Sequence, residues 1–231
     1  SAFGICRWYE ISSSTWTPES DRMTEAFDPL SYESLGTSIS RALDNQPLIP
    51  LADLQTFEGA GIYALYYSGN HPAYRPISVS NQQTPGSWAI YIGKAEASAA
   101  RKGDPDQRNV LDGPKLYTRI RNHRTSIDLA NNLSLEEFSV RYLVLAPTWV
   151  ALAEIIAIRE HTPVWNTIID GLGNHDPGAG RKAGQRPRWD TLHPGRRWAE
   201  RLAPNAASVS KLEHEALSFL EQYGPFGIGS R

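Results

Sequence analysis

Two tyrosines and three polar residues further along the chain have the types and spacing needed for phosphodiester hydrolysis. The tyrosines lie in strand-like tripeptides at residues 61–63 and 91–93 and are 28 residues apart. Arg119 and His123 follow in a basic stretch, and Glu154 lies within an apolar run. Together these residues offer a proton acceptor, a cation for the phosphate and a carboxylate for a metal ion.

The two phenols are expected to face one pocket. Side chains alternate along a strand, so Tyr63 and Tyr91 can share one face of adjacent strands. A free tyrosine has a pKa of about 10, which is too high for a base at neutral pH. A nearby cation or bound metal lowers that pKa, and Lys94, Arg119 and His123 are the available cations.

The other polar residues suit a phosphate and a hard cation. Arg119 and His123 are i and i+4, so a helix presents them on one side, and a guanidinium can bind two phosphate oxygens. Glu154 has apolar neighbours over residues 152–156, and a carboxylate in that setting is rarely idle. A single carboxylate completed by waters predicts magnesium. Glu160, the rival carboxylate, lies near the helix end and is expected to be solvated.

A purely structural interpretation remains open for each residue taken alone. Strands favour tyrosine, so Tyr63 and Tyr91 could be ordinary strand aromatics. Arg119 and His123 could belong to an exposed helix surface. Asn166 is most simply a structural hydrogen-bonding residue.

Hydrophobic patterning predicts a small sheet with helices around these residues. Strands are predicted at 61–67, 88–95 and 138–145, and helices at 32–44, from 114 to about 122 or beyond, at 149–161 and at 210–223. Ala89, Tyr91 and Gly93 are expected to share a face. Residues 68–87 and 96–114 are interpreted as polar connections. The order strand, strand, helix, strand, helix indicates an α+β fold.

Charge is unevenly distributed, although the net charge is only −2. Residues 1–60 carry three basic and nine acidic side chains, whereas residues 91–124 carry eight basic and four acidic ones. Residues 171–201 carry seven basic and three acidic side chains. This separation suggests a polyanionic partner on one face, with ordinary solvated charge as the alternative.

Cysteine usage and hydropathy bear on the compartment. The only cysteine, Cys6, can form neither an internal disulfide nor a zinc cluster, which fits a reducing cytoplasm. No apolar run approaches the roughly 18 residues of a membrane span, and no basic-then-apolar leader begins the sequence. We therefore expect a cytoplasmic protein with no membrane association.

Five segments, taken in order, resemble the GIY-YIG nuclease superfamily. They are GIY, YIG, RIRNH, the stretch around Glu154 and PVWN. The longer segments GAGIYALYYSG, IYIGKA, VWNTIIDGLGNHDPGAGR and LHPGRRWAE are similar to a small group of type II restriction endonucleases with this core. The branch nearest in appearance is associated with the palindrome CCGCGG. The resemblance covers roughly residues 57–201.

The resemblance implies a role for each matching residue. Tyr63 corresponds to the general base or its relay, and Tyr91 to the tyrosine of the second motif. Arg119 corresponds to the arginine that holds the scissile phosphate. His123 corresponds to a histidine one helical turn later, and together with Lys94 it is expected to tune or relay the proton.

The metal site is also implied by the resemblance. Glu154 corresponds to the single carboxylate that binds a divalent metal, and Asn166 to a terminal asparagine that supports the site. The expected cofactor is Mg²⁺, with Mn²⁺ as a substitute.

The basic segments are candidates for contact with DNA. Their cations could bind phosphates or guanine edges, and the candidates are Lys102, Arg108, Arg181, Lys182, Arg186 and Arg188. A flexible basic loop is the alternative for the segment after residue 171. His175 and Asp176 lack the third ligand that a second metal site would need. The tryptophans of this region are expected to be packing anchors.

The combined interpretation is a site-specific type II restriction endonuclease that cuts both strands of duplex DNA at a short palindrome. The expected fold is α+β, with a small GIY-YIG core whose short, mostly antiparallel sheet is flanked by helices. Residues 1–56 would form an N-terminal arm for dimerisation or for embracing DNA, 57–170 the catalytic core, and 171–231 a basic DNA-contacting extension with a C-terminal helix.

Cutting both strands predicts a homodimer, and a restriction enzyme implies a cognate DNA methyltransferase as a functional, not physical, partner. Two alternatives remain open. One is a structure-specific or modification-dependent nuclease on the same core. The other is a DNA-binding protein without catalysis.

Overall fold

A computed structural model describes residues 31–96, 113–178 and 184–226 of the chain. Within these ranges the strands are β1 (Ile49–Pro50), β2 (Gly61–Tyr67), β3 (Ala89–Ala95) and β4 (Phe138–Val144). The α-helices are α1 (Tyr32–Asp44), α2 (Arg75–Gln83), α3 (Lys115–Asp128), α4 (Pro147–His161), α5 (Val164–Thr167), α6 (Arg188–Leu192), α7 (Arg197–Glu200) and α8 (Val209–Tyr223).

The strands form one antiparallel sheet in the order β1, β4, β2, β3. The central strand β2 pairs with β4 along its whole length, from Gly61 opposite Val144 to Tyr67 opposite Phe138. Its other edge pairs with β3. Every residue of β2 is buried, as expected for a strand with a neighbour on each side and a helical layer on each face.

Alternation along β2 divides the core into two clusters, as the sequence predicts. The odd-numbered residues from Tyr63 to Tyr67 pack against α3, α5, α6 and α8. The even-numbered residues from Ile62 to Tyr66 pack with Leu43 of α1 and with α4. The molecule is therefore a sheet between two helical layers, and the predicted α+β class with an antiparallel sheet is confirmed.

One strand-face prediction is wrong because β3 contains an irregularity. The pairing runs from Leu65 opposite Tyr91 directly to Tyr66 opposite Ala89, so a bulge falls between Leu65 and Tyr66. The extra residue of a bulge reverses the alternation beyond it. Ala89 consequently belongs to the cluster on the α4 face, whereas Tyr91 packs against the cluster on the α3 face.

The prediction that residues 68–87 form a polar connection is also wrong, because this stretch contains α2. The helix has few apolar residues, but tertiary hydrogen bonds hold it. The Asn81 amide donates to the carbonyls of Tyr67 at 2.8 Å and Trp88 at 3.0 Å, and its oxygen accepts from the Trp88 amide at 2.9 Å. Ser78 donates to the carbonyl of Gly69 at 2.5 Å. These bonds override weak local propensity.

The strands and helices that the sequence predicts agree closely with the structure, whereas β1, α5, α6 and α7 were not predicted. The helix at 32–44 is present, and the side chain of Ser31 caps it by accepting from the Ser34 amide at 3.2 Å. This helix packs against α4, and β1 pairs with β4, so the described part of the N-terminal segment lies on the core. Its role as an arm, and the three-part division of the chain, stay predictions. No helix among the described residues has the length and apolar character to cross a bilayer.

Gly61 sets how closely β2 and β4 approach. Its φ is +156°, and a Cβ there would lie 2.0 Å from the carbonyl oxygen of Leu143. We expect Gly61→Ala to lower the free energy of unfolding by about 3 kcal/mol, because the paired strands must separate. Chemical denaturation of the purified variants measures this change.

Gly113→Ala is the matched control for backbone conformation alone. Gly113 has φ +67° with no atom within 4 Å of the added Cβ. The free energy of unfolding of this variant should fall by only about 1 kcal/mol, which is the cost of a left-handed backbone conformation without a steric clash. Equal losses for the two variants would contradict a steric role for Gly61.

Candidate active site

The register of β2 and β3 brings the two tyrosines to one face of the sheet. Tyr63 lies opposite Gly93 and Tyr91 lies opposite Leu65, so the phenols are diagonal neighbours with ring centroids 6.1 Å apart. A Cβ at Gly93 would lie 2.5 Å from the Tyr63 hydroxyl oxygen. The glycine of the second tripeptide therefore leaves the space that the Tyr63 ring occupies.

The Tyr63 phenol is neutral in the protein as it stands. Burial raises its pKa well above 10, the nearby Tyr91 phenol adds to the rise, and Arg119 opposes it. The expected lowering by cations is thus outweighed by loss of solvent. The hydroxyl is fully buried and makes no hydrogen bond of normal geometry with the described residues, although Tyr91 and Arg119 lie close enough to shift its pKa.

Helix α3 places Arg119 and His123 against the tyrosines, as the i, i+4 spacing predicts. The His123 ring centroid lies 5.2 Å from that of Tyr91 and 5.8 Å from that of Tyr63. Arg119 is half-buried, and its charge shifts the pKa of both phenols. These four side chains form the aromatic and cationic cluster of the site.

His123 is a neutral imidazole over the whole physiological range. Only 1% of the residue is exposed. Burial, with a smaller contribution from the positive charges of Arg119 and Arg196, lowers its pKa to about 3. Its Nε2 atom is buried and has no hydrogen-bond partner among the described residues. In the free protein this imidazole is therefore not a cation, and one of the cations expected from the sequence is absent.

Glu154 and Lys94 belong to the other face of the sheet. Lys94 follows Gly93 and pairs with Ile62, whose side chain packs on the α4 layer, and Glu154 lies on α4. The Lys94 ammonium bridges Glu154 at 3.2 Å and Glu96 at 2.9 Å. Hydrogen bonding to Glu96 raises the pKa of Lys94.

The Glu154 carboxylate and the Tyr91 phenol come close together near the end of β3. The Glu154 carboxylate is close enough to the Tyr91 phenol to raise its pKa, although burial is the larger cause. The Glu154 side chain is 21% exposed, so water can reach the carboxylate. The sheet thus separates the phenols from the carboxylate while keeping both at one edge.

Asn166 holds the second tripeptide in place. Its side-chain oxygen accepts from the Ile92 amide at 2.8 Å, and its side-chain amide donates to the Ile92 carbonyl at 2.8 Å. Both bonds are made to the outer edge of β3, whose other edge pairs with β2. Asn166 therefore acts on the backbone between Tyr91 and Gly93 as a structural hydrogen-bonding residue, and its role in catalysis stays a prediction.

Two further residues at the site come from the segment 171–176, which follows α5. A Cβ added at Gly173 would lie 2.9 Å from Nη2 of Arg119 and 3.5 Å from the Tyr91 hydroxyl. Arg119 Nη1 donates to Nε2 of His175 at 3.0 Å. Sequence reasoning missed both contacts, because more than 50 residues separate this segment from Arg119; the only available signal was the resemblance of the segment itself.

The candidate DNA-contacting residues divide into two sets. Lys102, Arg108, Arg181 and Lys182 lie outside the described residues. Arg186 donates to the carbonyls of Ala199 at 3.2 Å and Glu200 at 3.1 Å, and Arg188 pairs with Glu215 of α8. These two arginines therefore hold elements of the C-terminal region together, and contact with DNA stays a prediction for all six.

The chemistry of the donors suits one hard cation. Glu154 supplies a partly exposed carboxylate that pairs with the Lys94 ammonium in the free protein. No cluster of three or more histidine, cysteine, aspartate or glutamate side chains suited to a metal occurs among the described residues. Asp176 pairs with Arg201, and His175 accepts from Arg119.

This arrangement defines a class of protein. A sheet carries paired tyrosines on one face, the next helix adds an arginine and a histidine, and a later helix brings a glutamate to the same edge. These are the parts of a GIY-YIG nuclease core, in the order in which the five sequence segments predict them.

Comparison with protein families identifies the branch. The family described as the Eco29kI GIY-YIG domain matches residues 55–220. The chain belongs to this family and is a GIY-YIG nuclease of restriction type. No curated protein matches the sequence. Nucleases with this core generally use a divalent metal, which agrees with the water-accessible carboxylate of Glu154.

Burial of His123 leads to a testable prediction about its protonation state. We expect the His123 ring signals in NMR spectra to show no titration between pH 8 and pH 5, since its pKa is lowered to about 3. An unfolded chain protonates this histidine below about pH 6.5. The contribution of His123 to the free energy of unfolding is therefore fully present above pH 6.5 and falls as the pH decreases towards 3. At pH 5 about 2 kcal/mol of this contribution is lost.

His123→Gln provides the control for the pH dependence. Denaturant unfolding of this variant should lose less stability between pH 7.5 and pH 5 than the wild type does. The substitution will remove only part of the pH dependence of stability, because burial also lowers the pKa of His71 and His193. An NMR titration midpoint near 6.5 for His123 would contradict its buried, neutral state.

Proposed function

We propose that the protein is a type II restriction endonuclease that cuts both strands of duplex DNA at a short palindromic site with a divalent metal, Mg²⁺ or its substitute Mn²⁺. The observation that carries the proposal is a pair of buried polar atoms beside Arg119 that have no hydrogen-bond partner within the described ranges. They are the Tyr63 hydroxyl and Nε2 of His123. Buried polar groups are normally bonded, so two unpaired ones in one place suit a bound substrate or water.

The tyrosine and histidine provide a route for one proton. A water molecule that attacks phosphorus must lose a proton, and the Tyr63 oxygen is the nearest candidate to receive it while passing its own proton on. His123 would take up that second proton once a bound, negatively charged phosphate raises the pKa of its imidazole from the value of about 3 in the free protein. Tyr63 can then act as a relay even though its pKa is raised.

Arg119 and Tyr91 would hold the scissile phosphate. The guanidinium has five N–H donors, so it can offer two parallel ones to the phosphate oxygens while it keeps its bond to His175. Tyr91 is only partly buried, so its hydroxyl can reach an oxygen of the same phosphate. Asn166 fixes the backbone that carries Tyr91.

Glu154 is the residue that would hold the metal ion. A bound Mg²⁺ would stabilise negative charge that develops on the phosphate oxygens. Lys94 neutralises Glu154 in the free protein and is positioned to stabilise charge at the same edge when the carboxylate turns to the metal.

One core contains one such site, so cleavage of two strands requires two copies. A symmetric homodimer on a palindrome meets this need, and the recognition sequence CCGCGG is the starting hypothesis. The basic residues of the extension would contact phosphates or base edges. The system would include a cognate DNA methyltransferase as a functional partner, and the enzyme would act in the cytoplasm.

A second candidate is a nuclease with the same chemistry that acts on branched or modified DNA. Its active site would be indistinguishable from the one described, so substrate tests must separate the two. A protein that binds DNA without cutting is disfavoured, because the phenols, Arg119, His123 and Glu154 are all present and close together.

The central test is digestion of unmodified plasmid and phage DNA in magnesium, followed by sequencing of the fragment ends. We expect discrete fragments that share one palindrome at their ends. Linear plasmid that forms without accumulating nicked circles would indicate two active sites acting together. Glu154→Gln should reduce the cleavage rate by at least about 10³-fold and leave DNA affinity within a few-fold, because it removes the metal carboxylate and adds no bulk.

Glu160→Gln is the matched control, since it makes the same chemical change near the end of the same helix. Its cleavage rate should equal that of the wild type. Absence of cleavage by the wild type on plain duplex would contradict the restriction proposal, and methylated or branched substrates would then test the second candidate. Equal cleavage by Glu154→Gln and the wild type would contradict the assigned metal ligand.

A further inference from the structure

Arg196 forms the most deeply buried ion pair of the described structure. Its side chain is 3% exposed and that of Asp190 is 2% exposed. The guanidinium makes two parallel bonds to the carboxylate, Nε to Oδ1 at 2.6 Å and Nη2 to Oδ2 at 2.5 Å. It also lies 4.7 Å from the ring of Trp189 and 4.8 Å from that of Trp198. A buried ion pair is weak evidence for stability by itself, so a further purpose is indicated.

Apart from one bond from Nη1 to Oγ of Ser126 on α3 at 3.4 Å, the other hydrogen bonds of Arg196 all go to one short segment. Nη1 donates to the carbonyls of Leu172 at 2.9 Å and Asn174 at 3.1 Å, and Nη2 donates to the carbonyl of Gly171 at 2.9 Å. Segment 171–176 lies outside the helices and strands. Three of its backbone acceptors are therefore satisfied by one side chain instead of a helix or a sheet.

The same segment contacts Arg119 at two points. Gly173 packs so closely on the guanidinium that a Cβ would lie 2.9 Å from Nη2. His175 accepts from Nη1 at 3.0 Å. Segment 171–176 therefore lies between the Arg196 guanidinium and the Arg119 guanidinium, and it touches both.

We propose that the Arg196–Asp190 pair is a positioning device that holds segment 171–176 against Arg119 and so sets the orientation of the guanidinium for the scissile phosphate. The role rests on the proposed function, but neither Arg196 nor Asp190 touches the substrate. Asp190 offsets part of the positive charge that Arg196 brings close to His123. Arg196 belongs to the LHPGRRWAE segment, to which sequence reasoning assigned no role in the site.

Arg196→Lys tests the device with the charge retained. An ammonium can still pair with Asp190, but it lacks the planar fork that reaches three carbonyls as well. We expect the single-turnover cleavage rate constant to fall at least ten-fold, with the Kd for a duplex containing the identified site within three-fold. The rate constant falls while the Kd changes little, because a displaced Arg119 can still contact the phosphate in the ground state but is misaligned in the transition state.

Arg141→Lys is the matched structural control. Arg141 also donates to backbone carbonyls, those of Gln46 at 3.1 Å and Gly86 at 2.7 Å, and it lies 5.2 Å from the ring of Tyr66 on the α4 side of the sheet. We expect Arg141→Lys to lower the unfolding midpoint while its cleavage rate stays within two-fold of the wild type. A cleavage loss in Arg196→Lys no larger than that in Arg141→Lys would overturn the proposal.

Gly173→Ala probes the contact between the segment and Arg119 while leaving Arg196 untouched. The added methyl group should push the guanidinium aside, and the cleavage rate constant should again fall at least ten-fold with DNA affinity little changed. An unchanged rate in this variant would overturn the proposal, because the segment would then have no control over Arg119. This variant decides the question if Arg196→Lys does not fold.

Hydrogen–deuterium exchange gives a readout that is independent of cleavage. The Asn174 amide donates to the Gly171 carbonyl at 3.0 Å, so it reports on the order of the segment. We expect at least ten-fold faster exchange over residues 171–176 in Arg196→Lys and no change there in Arg141→Lys. If the wild type cuts no DNA, the proposed function fails while this measurement still tests the device. Unchanged hydrogen–deuterium exchange over residues 171–176 in a folded Arg196→Lys variant would overturn the proposed positioning role of the Arg196–Asp190 pair.

Discussion

The pairing of β2 with β3 is the constraint on which the rest of the site depends. It places Gly93 opposite Tyr63, and the absence of a side chain at Gly93 leaves room for the Tyr63 ring. Because side chains alternate, a slip of one residue would turn Tyr63 and Tyr91 to opposite faces of the sheet. Full pairing of β2 with β4 on its other edge, together with the bonds from Asn166 to Ile92, prevents that slip.

The two faces of the sheet divide the chemistry between them. The α3 face carries the phenols, the neutral imidazole and Arg119, in a setting dry enough to keep Tyr63 protonated. Glu154 and Lys94 approach from the α4 face, where water can reach the carboxylate. Separation of a dry proton-handling group from a wetter metal-binding group follows from the alternation in β3, since Gly93 and Lys94 are consecutive residues.

Several features of the fold could not have been read from local sequence, for identifiable physical reasons. Helix α2 forms because Asn81 and Ser78 bond to backbone groups in the segments before and after the helix, and these contacts outweigh its weak helical pattern. The face of Ala89 depends on a bulge, which leaves no signature in hydrophobic alternation. Contact of Gly173 and His175 with Arg119 joins segments more than 50 residues apart, and no periodicity reports such a contact.

The sequence by itself determined the three long strands, the helices α1, α3, α4 and α8, and the set of side chains able to perform the chemistry. These follow from local patterning and from ordered motifs, both of which act over a few residues. Only the tertiary structure decided their protonation and orientation. Burial makes His123 neutral where isolated chemistry makes it a potential cation, and it raises the pKa of Tyr63 where the sequence suggested a decrease. The reason is that desolvation and the orientation of Arg119 depend on residues brought together only when the chain folds.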